Sequence, residues 1–398
     1  MTSASRSPRS FVAPHIAALP RSGIRDFFDI VATRDDVISL GIGEPDFTTP
    51  WHIVERAIDS LERGATHYTA NRGLAELRKA ICRYTKRSFG IDYDWKDETL
   101  VTVGVSEALD LAVRATLEPG DEVLYHEPCF VAYAPVIRMA HAVPVAVPTR
   151  FEDGFRLRIE DLESRVTPRT RAILLNFPNN PTGAVLTDSD ADMLADFVKR
   201  HDLLLITDEV YSELTYDVKR VSVATRPGMH ERTIFLNGFS KAWAMTGFRL
   251  AYACAPAEIS EAMMKVHQYC MMSAPTMSQK AGLEAIEQGD PDIAAMRDSY
   301  HERRDLIYRS FMDMGLDCVL PEGAFYIFPD IRSVGMSSHD FAMRLLDEES
   351  VACIPGSAFG ECGEGFLRCS YATGIDQIRD AMERIARFVS RHRRTGGA

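Results

Sequence analysis

Between residues 99 and 285 the chain alternates short, nearly unbroken apolar runs with longer stretches of helical periodicity. The runs TLVTVG (99–104), EVLYH (122–126), VPVAV (143–147), RAILLN (171–176), LLLIT (203–207), TIFLN (233–237) and FRLAYAC (248–254) predict strands. Runs that are apolar at nearly every position, rather than at every second one, belong to strands covered on both faces. Segments such as Ser106–Thr116, Tyr133–Ala140 and Ser189–Arg200 lie between them and predict helices. Alternating strand and helix predicts an α/β fold around a mostly parallel, seven-stranded sheet. After about residue 290 the rhythm changes. A charged helical run, Ile293–Met314, precedes GAFYIF (323–328), VACIP (351–355) and FLRCSYA (366–372), and an amphipathic stretch, Ile375–Arg391, follows. That mixture predicts a smaller α+β domain.

Ligands of open α/β sheets bind beyond the carboxyl ends of the strands. Polar clusters stand at those ends one after another: Val105-Ser106-Glu107, Glu127-Pro128-Cys129-Phe130, Asn176 to Gly183, Asp208-Glu209-Val210-Tyr211 and Asn237-Gly238-Phe239-Ser240-Lys241. Each alone has a plain explanation. Ser106 could cap its helix, Asn-Pro-Thr-Gly is a turn-forming string, Asp208 could cap or pair, and Lys241 could lie on a helix surface. Five on one rim predict a binding site. A helix N-terminus such as the one expected near Ser106 also suits an anion. The string Gly41-Ile42-Gly43-Glu44-Pro45-Asp46 only imitates a dinucleotide fingerprint, because its sixth position is Asp and Pro45 opposes the helix that should begin there.

Composition narrows the function classes. The 398 residues are 46% hydrophobic and 26% charged, an ordinary globular balance with room for more than one domain. With 57 acidic against 45 basic side chains the formal net charge is -12, which argues against nucleic-acid binding through phosphate contacts. No run of about 18 apolar residues occurs, so no membrane-spanning helix is expected. The eight cysteines include no CxxC pair; they point to neither a zinc site nor a disulfide framework and fit a reducing, cytoplasmic setting. The basic end, Arg391-His392-Arg393-Arg394, reads as a solvated helix terminus, and the Ser- and Arg-containing first ten residues lack the apolar core of a secretory signal.

Five motifs carry a resemblance. They are Gly43-Glu44-Pro45-Asp46-Phe47; Tyr68 ahead of Gly73-Leu74-Ala75-Glu76-Leu77-Arg78; Asn179-Asn180-Pro181-Thr182-Gly183; Asp208-Glu209-Val210-Tyr211; and Ser240-Lys241-Ala242-Trp243-Ala244-Met245-Thr246-Gly247-Phe248-Arg249. In these the chain resembles the class I and II aminotransferases, pyridoxal-phosphate enzymes of fold type I, in the branch of aspartate, aromatic and N-acetyl-diaminopimelate aminotransferases. The resemblance runs from about residue 13 to residue 390. It implies an N-terminal arm that joins the small domain (1–48), a large cofactor-binding domain (49–289) and a small C-terminal domain (290–398). It also implies a homodimer that uses pyridoxal 5′-phosphate to move the amino group of an L-amino acid to a 2-oxo acid, with 2-oxoglutarate the expected acceptor.

The chemistry explains the residue types. A lysine that attacks an aldehyde must be neutral, and burial and a nearby cation both lower its pKa. Lys241 matches that lysine, with Arg249 as the cation; by the resemblance it also moves the proton at the substrate's α-carbon. The cofactor ring draws electrons while its nitrogen stays protonated, so a buried carboxylate must pair with it; Asp208 matches that carboxylate. Tyr211 and Asn180 match the partners of the cofactor's phenolic oxygen. Val105, Ser106, Glu107, Ser240 and Arg249 match the phosphate site, completed by Tyr68 from the partner subunit, and Phe130 matches the ring stacked on the cofactor. Arg368 matches the guanidinium fork that holds the substrate's α-carboxylate, helped by Gly43 and Asn180. A β-eliminating carbon–sulfur lyase on the same scaffold and a cofactor-binding regulator stay open as other readings. Aspartate-preferring relatives often carry a lysine in the phosphate turn. Here the turn reads Val105-Ser106-Glu107, which weakens an aspartate assignment.

Overall fold

Seven strands form the central sheet of the computed structural model, which describes residues 11–20, 31, 34 and 36–393. A short β1 (Ile38–Ser39) comes first, followed by β2 (Thr99–Thr102), β3 (Glu122–Glu127), β4 (Val143–Pro148), β5 (Thr170–Asn176), β6 (Leu204–Asp208), β7 (Thr233–Gly238) and β8 (Ala251–Cys254). The sheet order is β2-β8-β7-β6-β5-β3-β4. Only β8 breaks the parallel arrangement, running antiparallel to both β7 and β2. Successive residues of a strand point to opposite faces, and here both faces are covered. Val123, Leu174, Ile206 and Leu236 pack in one layer with the helices Val105–Thr116 and Ala257–Cys270. Leu124, Ile173, Leu175 and Leu205 pack in the opposite layer with the helix Asp188–Arg200. That helix begins where Thr187 and Asp190 form a reciprocal capping box.

The C-terminal region contributes β9 (Tyr326–Ile327), β10 (Val351–Ala352), β11 (Ile354–Pro355) and β12 (Leu367–Ser370), with the helices Asp290–Asp313, Ser338–Glu349 and Ile375–His392. β12 lies between β11 and β9, antiparallel to both. β10 pairs in parallel with β1, which ties residues 38–39 to the C-terminal half.

Three expectations change in detail. The strand foreseen over 248–254 starts only at Ala251, because Thr246–Phe248 form a 3-10 turn and Arg249 is left-handed at φ 50°. GAFYIF is a strand only at Tyr326 and Ile327; Ala324 is left-handed at φ 59° and bonds instead to the Leu214 carbonyl. VACIP divides at Cys353 into β10 and β11. The helices Trp51–Glu62, Ala75–Phe89 and Thr276–Gln288 lie in stretches for which the sequence pattern named no element. The first ten residues and Arg394 lie outside the described residues. No helix among the described residues is long and apolar enough to cross a membrane. The eight cysteines are free thiols, five of them buried.

Candidate active site

The carboxyl ends of β5, β6 and β7 meet at one cavity of about 610 Å³. Register explains the convergence. Asn176, the last residue of β5, stands opposite Asp208, the last residue of β6, and Asp208 stands opposite Leu236 of β7. β7 then runs into the short helix Phe239–Ala242, which carries Ser240 and Lys241 to the same rim.

Lys241 lines the cavity, and its ammonium donates to the Gly43 carbonyl at 2.6 Å. Burial pushes its pKa down to about 8, and the nearby charges of Arg368 and Arg249 push in the same direction against Glu44 and Asp208. Asp208 is shifted the other way. Burial lifts its carboxyl to about 6, although the Tyr133 hydroxyl donates to it at 2.8 Å and opposes the rise. A cation bonded to Asp208 would restore its charge, which is what a protonated ring nitrogen offers.

Arg368 is buried on β12. It donates to the Asn180 side-chain oxygen at 3.1 Å and to the Gly41 carbonyl at 2.6 Å, between the rings of Tyr326 and Phe359. Its Nε–H is buried without a partner, so the guanidinium retains donor capacity. Asn180 is itself placed by its backbone N–H bond to Asn176. Tyr211 reaches Tyr326, hydroxyl to hydroxyl, at 2.9 Å.

The helix Val105–Thr116 presents its first turn to the cavity through Val105 and Ser106. Its N-cap is Gly104, at φ 81°, rather than Ser106. A Cβ on Gly104 would fall 2.5 Å from an Arg249 Nη atom, so the glycine supplies both the backbone conformation and the space for that guanidinium. Ser106, Ser240 and Arg249 thus surround free helix N–H groups, a donor set suited to a phosphate. Phe130 forms part of the wall and meets Tyr133 edge to face. Ile42, Leu109, Ala132 and Val136 add apolar lining to the cavity.

The side chains of two sequence-predicted residues do not line this cavity. The Glu107 carboxylate turns back to accept from the Val103 N–H and from His267 Nδ1, so only its backbone remains available to the helix N-terminus. Tyr68 is 80% exposed and does not line this cavity of its own chain. Two further residues, Tyr133 and Tyr326, join the site without having been anticipated. Their one available signal was a phenol inside an otherwise apolar segment, next to Phe130 in one case and within GAFYIF in the other. The donors, the unpartnered Arg368 Nε–H and the glycine-lined approach to Arg249 fit pyridoxal 5′-phosphate and a substrate carboxylate in one cavity. Three cations, Lys241, Arg249 and Arg368, face two carboxylates, Glu44 and Asp208, as a doubly anionic ligand pair requires.

Comparison with known proteins gives a consistent result. The family model for aminotransferase class I and II matches residues 35–385. An aspartate aminotransferase of Pyrococcus abyssi is 46% identical over 92% of this chain and 95% of its own length. An aromatic-amino-acid aminotransferase of Thermococcus litoralis is 45% identical over the same shares. The crystal structure of an aromatic aminotransferase from Pyrococcus horikoshii superposes with a TM-score of 0.88 at 46% identity, covering 92% of this chain and 99% of that one.

Proposed function

The chain belongs to the class I and II aminotransferases and so transfers amino groups; we propose that its donor is an L-amino acid with a neutral or aromatic side chain, its acceptor 2-oxoglutarate and its carrier pyridoxal 5′-phosphate. Members of this family depend on that cofactor. When bound, it supplies an aldehyde that takes up the amino group and a ring that draws electrons from the bond being broken. The observation that carries the reading is the Lys241 amine, its pKa lowered to about 8, in a cavity that also holds Asp208 and Arg368.

In this reading each residue has one task. Asp208 holds the proton of the ring nitrogen. Tyr211 and Asn180 hydrogen-bond the phenolic oxygen, and Phe130 covers one face of the ring. Ser106, Ser240, Arg249 and the N–H groups of Val105 to Glu107 bind the phosphate. Arg368, with Asn180 and the Gly43 backbone, fixes the substrate's α-carboxylate. A fork of that kind orients the α-C–H bond toward Lys241, which then removes and returns the proton. The catalytic assignments are Lys241, Asp208 and Tyr211.

The same proposal includes a homodimer in which Tyr68 completes the partner's phosphate site. Tyr68, Tyr269, Met271 and Met272 are all exposed, and two hydrogen bonds tie the segments of Tyr68 and Met272 together, Asn71 to the Met272 carbonyl and Thr276 to the His67 carbonyl. A clustered apolar patch of this sort supports an interface between subunits. The division into an arm (1–48), a large domain (49–289) and a small domain (290–398) belongs here too, supported by the β1–β10 pairing. A cytoplasmic setting is supported by the eight free cysteines.

The donor class is tested by half-reactions. Cofactor-loaded enzyme is mixed with single amino acids, and loss of the aldehyde-form visible band is followed before 2-oxoglutarate is added to restore it. Phenylalanine and methionine are expected to match or exceed aspartate in kcat/KM, because the described side-chain wall is Ile42, Leu109, Ala132 and Val136 with no cation beyond the three assigned above. A strong preference for aspartate, or failure of 2-oxoglutarate to restore the band, would contradict the donor or the acceptor assignment respectively.

A further inference from the structure

Tyr326 touches three of the assigned functions at once. Its hydroxyl stands 2.9 Å from that of Tyr211. Its ring lies 4.6 Å from the Arg368 guanidinium carbon. A Cβ on Gly43 would fall 2.9 Å from its oxygen, so the backbone segment whose carbonyl holds Lys241 packs directly against it. The placement follows from the C-terminal sheet: Tyr326 of β9 pairs with Ser370 of β12, two residues from Arg368 on the same strand. Alternation along a strand returns residues two apart to the same face, and that brings the ring of Tyr326 and the Arg368 side chain together.

The direction of the shared hydrogen bond can be worked out. A buried phenol needs an acceptor for its proton. Tyr326 exposes 0% of its surface, and among the described residues its hydroxyl has Tyr211 as its one hydrogen-bond partner. Tyr211 retains 5% exposure into the cavity. Either hydroxyl can donate in this bond; burial favours the Tyr326 proton going to the Tyr211 oxygen, which leaves the Tyr211 proton for a group in the cavity. A hydroxyl that accepts one bond donates a stronger one.

We propose that Tyr326 is a positioning residue for both halves of the site: its ring seats Arg368 for the substrate carboxylate, and its hydroxyl fixes Tyr211 as a donor toward the bound cofactor. This rests on the functional reading above and adds a residue that reading does not use. The two roles separate by substitution. Tyr326→Phe keeps the ring and removes the hydroxyl; Tyr326→Leu removes both.

The test uses cofactor-loaded wild type, both Tyr326 variants, Tyr211→Phe and the double variant Tyr211→Phe/Tyr326→Phe. Visible absorption of the bound cofactor is titrated with pH, and a non-reacting monocarboxylate, 3-phenylpropionate, is titrated by its effect on the same band. Weaker donation from Tyr211 disfavours the deprotonated form of the chromophore, so Tyr326→Phe is expected to raise the midpoint by about half a pH unit. In the Tyr211→Phe background the same substitution is expected to add almost nothing. Carboxylate affinity should stay within about threefold of wild type in Tyr326→Phe and fall about thirtyfold in Tyr326→Leu, the size of a desolvated cation–π contact. Equal midpoints in wild type and Tyr326→Phe, or a shift that persists without the Tyr211 hydroxyl, would overturn the hydroxyl's role. Undiminished carboxylate affinity in Tyr326→Leu would overturn the ring's. Wild type that takes up no cofactor overturns the functional reading, and this assignment with it; wild type that loads normally beside variants that behave identically overturns this assignment alone.

Discussion

At the scale of single residues, the site sets two titrating groups against each other. Burial lowers Lys241 to about 8 and raises Asp208 to about 6, so near neutral pH Asp208 carries the charge its role requires while Lys241 lies close to losing its proton. The Asp208 shift has a consequence for the cofactor-free protein. The fold retains that proton up to about pH 6, whereas an unfolded chain releases it near 3.8. Between those values the native state binds the extra proton, so raising the pH removes stability. Asp208→Asn lacks this penalty. Denaturant unfolding of the cofactor-free proteins is expected to show the variant gaining on wild type from pH 4 to pH 7.5, by roughly 2 kcal/mol at 1.36 kcal/mol per pKa unit. A difference that does not change with pH would refute the buried-acid account. Lys241, Asp208, Asn180 and Arg368 were legible in the sequence because few side chains can serve as an aldehyde-reactive amine, a ring-nitrogen partner or a carboxylate fork. Tyr133 and Tyr326 were not, because their hydroxyls serve other side chains and their rings read as core. The direction of the Glu107 carboxylate was not legible either. A position in a helix's first turn does not say which way the carboxylate points, and His267, 160 residues away in sequence, holds it.

At the scale of elements, the site is made by strand ends that stop together and by two backbone turns. The strands were legible because a parallel strand covered on both faces needs apolar residues throughout. Their limits near the site were not, since Arg249 gives up an extended conformation to bring its guanidinium beside Gly104. Gly104→Ala should therefore do two things: strain a position at φ 81° and push a methyl against Arg249. Gly120 is the matched control, with φ 92° and open space for 4 Å around the place a Cβ would take. Both alanine variants are expected to lose about 1 kcal/mol of stability, but only Gly104→Ala should lose affinity for the cofactor's phosphate, by at least about tenfold. Equal cofactor dissociation constants in the two variants would separate Arg249 from the phosphate site.

At the scale of the whole molecule, the proposed homodimer has Tyr68, exposed on its own chain, complete the partner's phosphate site. Tyr68→Phe chains and Arg368→Ala chains should each be impaired alone. In a hybrid dimer, the site with an intact Arg368 would receive an intact Tyr68 from its partner. Statistical exchange makes half of the dimers hybrid with one repaired site of two, so mixed chains should approach about a quarter of wild-type activity. If Tyr68 served its own chain, mixing would yield only the average of the two parents. The layered fold was readable from alternating strand and helix, whereas the pairing of residues 38–39 with β10 was not, because no local pattern reveals which distant strand will take up a two-residue partner.

In the proposed function, Lys241 is the amine that joins the cofactor's aldehyde. Borohydride reduction of the cofactor-loaded enzyme, followed by proteolysis and mapping of the labelled peptide, tests that assignment directly. The account predicts one label, on Lys241, and loss of that label with nearly all turnover in Lys241→Ala. A label on any other lysine, or no label on protein that has taken up the cofactor, would contradict it.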